Sequence, residues 1–362
     1  MAADIPSEPA VTALPLAPPP VAAYEPGSGW ILTPYGRSPS RQSRALSRML
    51  RLGVRPLVNR MRGTPTSIRT LRTAIDAAAR LVRVDPRVRV EPLLDPQVEA
   101  AGPARPISGE WVFPTARTAG APAQDGAILY LHGGGYVLCS PQTHRPITAR
   151  LAIDTGLPVL VPHYRLAPEH PFPAALEDAL DAYRWLLARG FSASRIVIAG
   201  DSAGGHLSAS LAGEICRTGL PSPAGVVLYS PWVDLTCELS IEWDGRVADP
   251  YISPAAARRL GRLVVGTGDF DDPRLALLTC SWSNTPPFLI QVGGAEVLRP
   301  EAERLAEILT EAGAACELQV WPGQMHVFQM LNRFLPESRA AMRETARFIS
   351  SVIATDHMEA VA

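Results

Sequence analysis

Lysine is absent from this chain of 362 residues, and all 34 basic side chains are arginine. That excludes a Schiff-base lysine, a pyridoxal-phosphate anchor, a Walker-type phosphate loop and a Ser-Lys dyad. Cysteine is sparse: the five (139, 216, 237, 280 and 316) are odd in number, scattered and never spaced C-x-x-C. Neither a disulfide framework nor a zinc site follows from that pattern, and buried free thiols are expected. No apolar run approaches the length of a membrane span. Net charge is nearly absent too. A formal charge of -1 gives no whole-chain argument for nucleic acid as a partner. The opening MAADIPSEPAV has no basic stretch, and the first arginine is Arg37. No secretory signal is read there, so the cytoplasm is the expected location.

What is present suffices for one large α/β domain or two smaller ones, with 47% apolar residues. Residues 1–36 carry eight prolines among Ala, Ser and Gly and read as a flexible tail. Residues 37–89 hold 14 of the 34 arginines and only two acids, Asp76 and Asp85. Within 41–61, Leu46, Leu50, Val54, Leu57 and Met61 recur at helical spacing. Arg44, Arg48, Arg51 and Arg55 fall opposite, and Pro56 interrupts or bends the helix. A second helix is predicted from about Ser67 to Val82. A basic amphipathic stretch can touch a membrane surface or guide acidic or acyl substrates. Basic surface helices are common in proteins that never meet lipid, so packing on the main domain with a solvated arginine face is the favoured expectation.

From about residue 109 short apolar runs alternate with helical stretches. Strands are predicted at Glu110–Phe113, Ala127–His132, Pro158–His163, Arg195–Gly200, Gly225–Ser230, Pro287–Val292 and Cys316–Trp321. Helices fit near 142–155, 174–189, 203–218, 300–313 and 337–353. Strands separated by such helices imply right-handed crossovers and a mostly parallel sheet, an α/β fold. Residues 235–275 interrupt the alternation and read as an insertion over the sheet edge.

The run Arg195-Ile-Val-Ile-Ala-Gly200-Asp-Ser202-Ala-Gly204 is a buried strand, a G-x-S-x-G turn and a helix start. Such a turn presents the serine hydroxyl at the strand's C-terminal end, beside the positive end of the next helix. Acyl transfer also needs donors for a developing oxyanion. The strand at 127–131 runs into His132-Gly133-Gly134-Gly135, whose glycines let backbone N–H groups turn toward a ligand. Two amides of Gly133, Gly134 and Gly135 are expected to do so, most naturally Gly134 and Gly135, with Ala203 as the third donor. The base should follow the nucleophile, and among seven histidines only His326 lies on a loop after the last strand. Glu296 is the first carboxylate beyond the strand Pro287–Val292 and is assigned to orient the imidazole, with Asp234 and Glu301 as fallbacks. Asp201 and His206 are read as structural polar groups, and Trp232 and Tyr251 as candidate pocket walls.

These motifs resemble the bacterial hormone-sensitive-lipase family of α/β-hydrolase esterases. HGGG at 132–135, Gly-Asp-Ser-Ala-Gly at 200–204, Tyr164-Arg-Leu-Ala-Pro-Glu-His-Pro-Phe-Pro at 164–173 and Trp-Pro-Gly-x-x-His-x-Phe at 321–328 carry the likeness, over roughly 105–353. Family members often have an Asp-Glu pair or an aspartate where this chain has Ala295-Glu296, and a second acid at the place of Pro300. Glu296 matches the acid of the acid-x-Leu pattern. The resemblance implies an α/β-hydrolase fold, a Ser-acid-His triad, and a cap made by residues 37–89 and the insertion, roofing an acyl pocket. It implies a cofactor-free carboxylesterase acting on small ester substrates of short to medium acyl length, with deacetylation, amide hydrolysis or acyl transfer open to the same residues. Plant gibberellin receptors resemble this family but have lost the histidine, which this chain keeps. Oligomeric state is not legible.

Overall fold

The apolar runs form strands because consecutive side chains are buried on opposite faces of one sheet. A computed structural model of the chain describes residues 38–60, 64–95, 106–115, 126–247 and 249–354, so the expected tail at 1–36 lies outside them. The strands are β1 (Val88–Asp95), β2 (Ile107–Pro114), β3 (Ala127–Leu131), β4 (Val159–Pro162), β5 (Ile196–Asp201), β6 (Gly225–Tyr229), β7 (Phe288–Gly293) and β8 (Cys316–Trp321). Their order is β1-β2-β4-β3-β5-β6-β7-β8. The β1–β2 and β2–β4 pairs are antiparallel, and β4 through β8 run parallel.

The sequence reading missed β1. It lies at the antiparallel edge, and Pro92 within it breaks the apolar pattern; an edge strand tolerates a proline because one side makes no ladder bonds.

The helices are α1 (Arg41–Gly53), α2 (Arg55–Arg60), α3 (Pro65–Arg80), α4 (Arg145–Thr155), α5 (Ala174–Ala188), α6 (Ala203–Thr218), α7 (Glu238–Asp244), α8 (Pro254–Val265), α9 (Arg299–Glu311) and α10 (Pro336–Ala354). Leu129, Leu131, Ile196 and Ile198 face a core shared with α5, α6 and α9. Their neighbours Ile128, Tyr130, Val197 and Ala199 face the opposite core, with Ile147 and Leu151 of α4 and Met342 and Ile349 of α10. No helix among the described residues is long and apolar enough to cross a membrane.

The helix is interrupted rather than bent: α1 ends at Gly53 and Pro56 falls at the second residue of α2. Val54, placed on its apolar face by spacing, is 37% exposed, while Met61 lies outside the described residues. Residues 235–275 are more regular than expected and contain α7 and α8. Three of these elements border the C-terminal edge of the parallel strands. Leu46 and Leu50 of α1 pack on Trp321, Met325 and Phe328, and the Ser43 hydroxyl donates to Gln324 Oε1 at 3.1 Å. Arg72 of α3 donates to the Val137 carbonyl at 2.9 Å. From α8, Leu260 stands over Gly135, where an added Cβ would meet its Cδ1 at 2.9 Å.

Candidate active site

Because β3, β5, β6, β7 and β8 are parallel, the loops leaving their C-terminal ends share one edge. Ser202 directly follows β5 with φ 54° and ψ −120°, a backbone conformation that costs strain and is kept by its surroundings. Its N–H donates to the Tyr229 carbonyl at 2.9 Å and its carbonyl accepts from Trp232 N–H at 3.0 Å. Gly204 permits the turn, since a Cβ there would overlap the Leu131 carbonyl oxygen. The serine thus stands at the start of α6.

His326, on the loop after β8, is buried, and its Nδ1 lies 2.8 Å from Glu296 Oε2. The structure therefore brings Glu296 to the imidazole, and neither Asp234 nor Glu301. The extra methylene of glutamate lets Oε1 fold back to accept the Gly293 N–H at 2.5 Å while Oε2 reaches the ring. Burial alone would lower the pKa of His326, but the hydrogen bond and charge of Glu296, with Asp249 and Asp201 adding, raise it above 6.5. The β5–β6 pairing sets Asp201 opposite Tyr229, and β7 lies next to β6, so the loops that carry Ser202, Ser230 and Glu296 leave neighbouring strands.

Ser230, at the end of β6, joins the two halves, and the sequence reading did not single it out. Its N–H donates to Gln291 O, its hydroxyl donates to Glu296 Oε1 at 2.6 Å, and its oxygen accepts Val327 N–H at 3.0 Å. One serine thereby fixes both the acid and the residue after the histidine. Tyr251 completes the support by donating to the His326 carbonyl at 2.6 Å. Asp249 accepts from the amides of Tyr251, Ile252 and Val297. In sequence Ser230 reads as the last residue of the predicted strand Gly225–Ser230, and only the tertiary register shows what the hydroxyl meets.

The glycine loop needs one correction. Gly133 is not an oxyanion donor: its N–H is turned inward and donates to Asp201 Oδ1 at 3.0 Å. Asp201 also accepts from Tyr130 OH at 2.7 Å and lies 3.2 Å from His144 Nε2. Burial pushes its pKa up, but the His144 and Tyr130 interactions outweigh that and hold it below 3.8. Asp201 is the structural group expected. The amides of Gly134, Gly135 and Ala203 have no protein acceptor among the described residues, and these three are the donors that can meet an oxyanion. Gly134 has φ 115°, outside the range of most side chains.

His206 is held between two loops, with Nε2 at 3.0 Å from the Leu275 carbonyl and Nδ1 at 2.7 Å from Tyr136 OH. Burial pushes its pKa to about 4, so it stays neutral and structural. Trp232 is buried and donates to Cys237 Sγ. A cavity of about 800 Å³ between α7, residues 270–279 and α9 touches none of Ser202, Glu296 or His326.

Glu301 has a different task. Its Oε2 accepts from the amides of Val233 and Asp234, each at 3.0 Å, and Oε1 meets the Ser240 hydroxyl, itself 3.0 Å from the Val297 carbonyl. One hydroxyl hydrogen cannot serve both acceptors, so a protonated Glu301 donating to Ser240 satisfies the set. Burial pushes its pKa from 4.5 to about 8. In the unfolded chain the group is charged above 4.5, so folding takes up a proton. The stability contribution of Glu301 therefore falls as pH rises between about 4.5 and about 8. Glu301→Gln supplies the same donor and acceptor without the proton. Its melting temperature is expected to exceed that of the wild type by a margin that grows across this window; a margin independent of pH would show Glu301 to be ionised in the fold.

Comparison with known proteins points to the same fold class. A family model described as an α/β-hydrolase fold matches residues 128–330. An acetyl-hydrolase of Streptomyces hygroscopicus is 39% identical over 247 residues, covering 67% of this chain and 79% of that protein. A carboxylesterase/phospholipase of Mycobacterium tuberculosis, LipF, is 36% identical over 258 residues, 68% of either chain. A crystal structure of an esterase from the bacterial hormone-sensitive lipase family superposes with a TM-score of 0.76 at 31% identity, covering 87% of this chain and 99% of that one.

Proposed function

The chain belongs to the hormone-sensitive-lipase family of α/β-hydrolase esterases and is a serine ester hydrolase, and from that premise we propose that it cleaves short to medium acyl esters through an acyl-enzyme on Ser202. The observation that carries the proposal is the buried Glu296–His326 pair, 2.8 Å apart and tied through Ser230 to the strand beside the nucleophile turn.

Glu296 accepts a hydrogen bond from Nδ1–H and so leaves Nε2 as the basic nitrogen of His326. Nε2 takes the proton of Ser202 as its oxygen attacks the ester carbonyl. The carbonyl oxygen becomes an oxyanion facing the amides of Gly134, Gly135 and Ala203. His326 then gives the proton to the departing alcohol, leaving the acyl group on Ser202. Water, deprotonated by the same nitrogen, releases the acid and restores the serine.

The acyl range is supported by the relative named as an acetyl-hydrolase. The packing of α1 on the histidine loop, of α3 on the glycine loop and of α8 over Gly135 supports a cap formed by α1, α3 and residues 235–275, whereas Val88 and Arg89, counted with the cap in sequence, pair in β1. Such a roof favours substrates that enter singly. The scattered, odd set of five free thiols suits a reducing compartment, and the cytoplasm is the proposed place of action. The test is hydrolysis of p-nitrophenyl esters from acetate to palmitate. Rates are expected to peak at the short end and fall toward palmitate, and a maximum at palmitate would overturn the acyl range.

A further inference from the structure

The apolar side chains that the molecule leaves in water are not spread evenly. Of eight large exposed ones among the described residues, five (Met49, Leu52, Val54, Leu81 and Val82) lie within residues 49–82. Met49 and Leu52 are 69% and 74% exposed, both on α1. The same helix exposes Arg41, Arg44, Arg48 and Arg51, spaced three and four apart and so aligned in one stripe. It contains no acid, and none of these four arginines meets a carboxylate among the described residues. At one hundred degrees per residue Leu52, Ala45 and Met49 form the next row beside that stripe. The inner face is already committed to Trp321, Met325 and Phe328, under the loop that carries His326.

We propose that the outer face of α1 docks on an anionic lipid surface, with Arg41, Arg44, Arg48 and Arg51 at the headgroups and Leu52 and Met49 in the acyl boundary. A stripe of arginine alone would suit any polyanion. Apolar side chains in the adjoining row need an apolar phase directly beneath a negative surface, which a bilayer supplies and a nucleic acid does not. The chain as a whole carries a formal charge of -1, so attraction comes from the patch and is strongly salt-dependent. Docked this way, the His326 loop sits immediately behind the contact helix, and the site opens near the membrane surface, where esters of limited water solubility collect. The inference concerns the surface alone and stands whichever ester the site hydrolyses.

The experiment is co-sedimentation of the full chain with phosphatidylcholine vesicles, with and without phosphatidylglycerol, at low and high salt. The wild type is expected to pellet with the phosphatidylglycerol vesicles at low salt and to be released at high salt. Arg48→Glu with Arg51→Glu is expected to weaken that binding by about tenfold or more, since each arginine near such a surface contributes substantially. Met49→Gln with Leu52→Gln is expected to weaken it as well, without changing the melting temperature, which serves as the folding control. Wild type that stays in the supernatant with both vesicles, or variants that pellet as well as wild type, would overturn the proposal. Light scattering covers the competing occupant. If Leu52→Gln converts a dimer into a monomer while vesicles bind neither, the face belongs to a second copy of the chain and the lipid assignment falls.

Discussion

Ser202→Ala is expected to lower kcat on p-nitrophenyl acetate by about a millionfold and to leave KM within a few-fold. The large factor follows from the loss of the oxygen that the proposed mechanism uses as its nucleophile, on the turn between β5 and α6. What remains in the variant is the oxyanion site at Gly134, Gly135 and Ala203, which by itself retains about a thousandfold over water. Alanine should preserve the fold, because the bonds that fix residue 202 are made by its N–H and carbonyl and not by its side chain. Two measurements check the result. The wild type should gain one covalent adduct with a fluorophosphonate, seen by intact mass, and the variant none. A variant retaining more than about a tenth of the wild-type rate would remove Ser202 from the mechanism.

Glu296→Gln carries the second large effect, about ten-thousandfold in kcat/KM at neutral pH. The amide can keep its oxygen toward Gly293 N–H and Ser230 OH, which leaves its NH₂ facing Nδ1 of His326. Two donors cannot share that line, so the ring takes the other tautomer and Nε2 carries a hydrogen when it should accept one. The pH profile separates this from simple damage. In the wild type, burial lowers the imidazole pKa but Glu296 and its acidic neighbours raise it on balance above 6.5. The base works only when deprotonated, so activity falls as pH drops through that raised value. Without the Glu296 charge the residual activity should hold to lower pH than in the wild type. A variant with reduced rate and an unmoved acid limb would show that Glu296 shapes the loop without acting on the ring.

Most of the chemistry in this chain is written in short local patterns. Ser202 is identified by glycines that a tight turn demands, His326 by its place after the last strand, and Glu296 by being the first carboxylate after β7. What was not legible depends on contacts between distant segments. Glycine at 133 tells that the backbone can turn, but not that its amide points at Asp201, 68 residues away. Ser230 is one more residue at the end of a predicted strand until Glu296 and Val327 close around its hydroxyl. The strand β1 carries a proline that is acceptable only because nothing pairs on its outer side. The helix α7 has only seven residues, too few for a helical period to stand out, and α8 lies inside the stretch that read as an insertion.

The inward turn of Gly133 has a mechanical meaning. Tyr130 lies on β3, Gly133 on the loop that follows it, and Asp201 at the end of the strand that leads to the serine, so one buried carboxylate clamps the glycine loop to the serine turn. The nucleophile and the oxyanion donors are therefore the two jaws of one caliper, and their opening is set before any ester arrives. Their separation is thus a property of the sheet edge and not of the ester that enters.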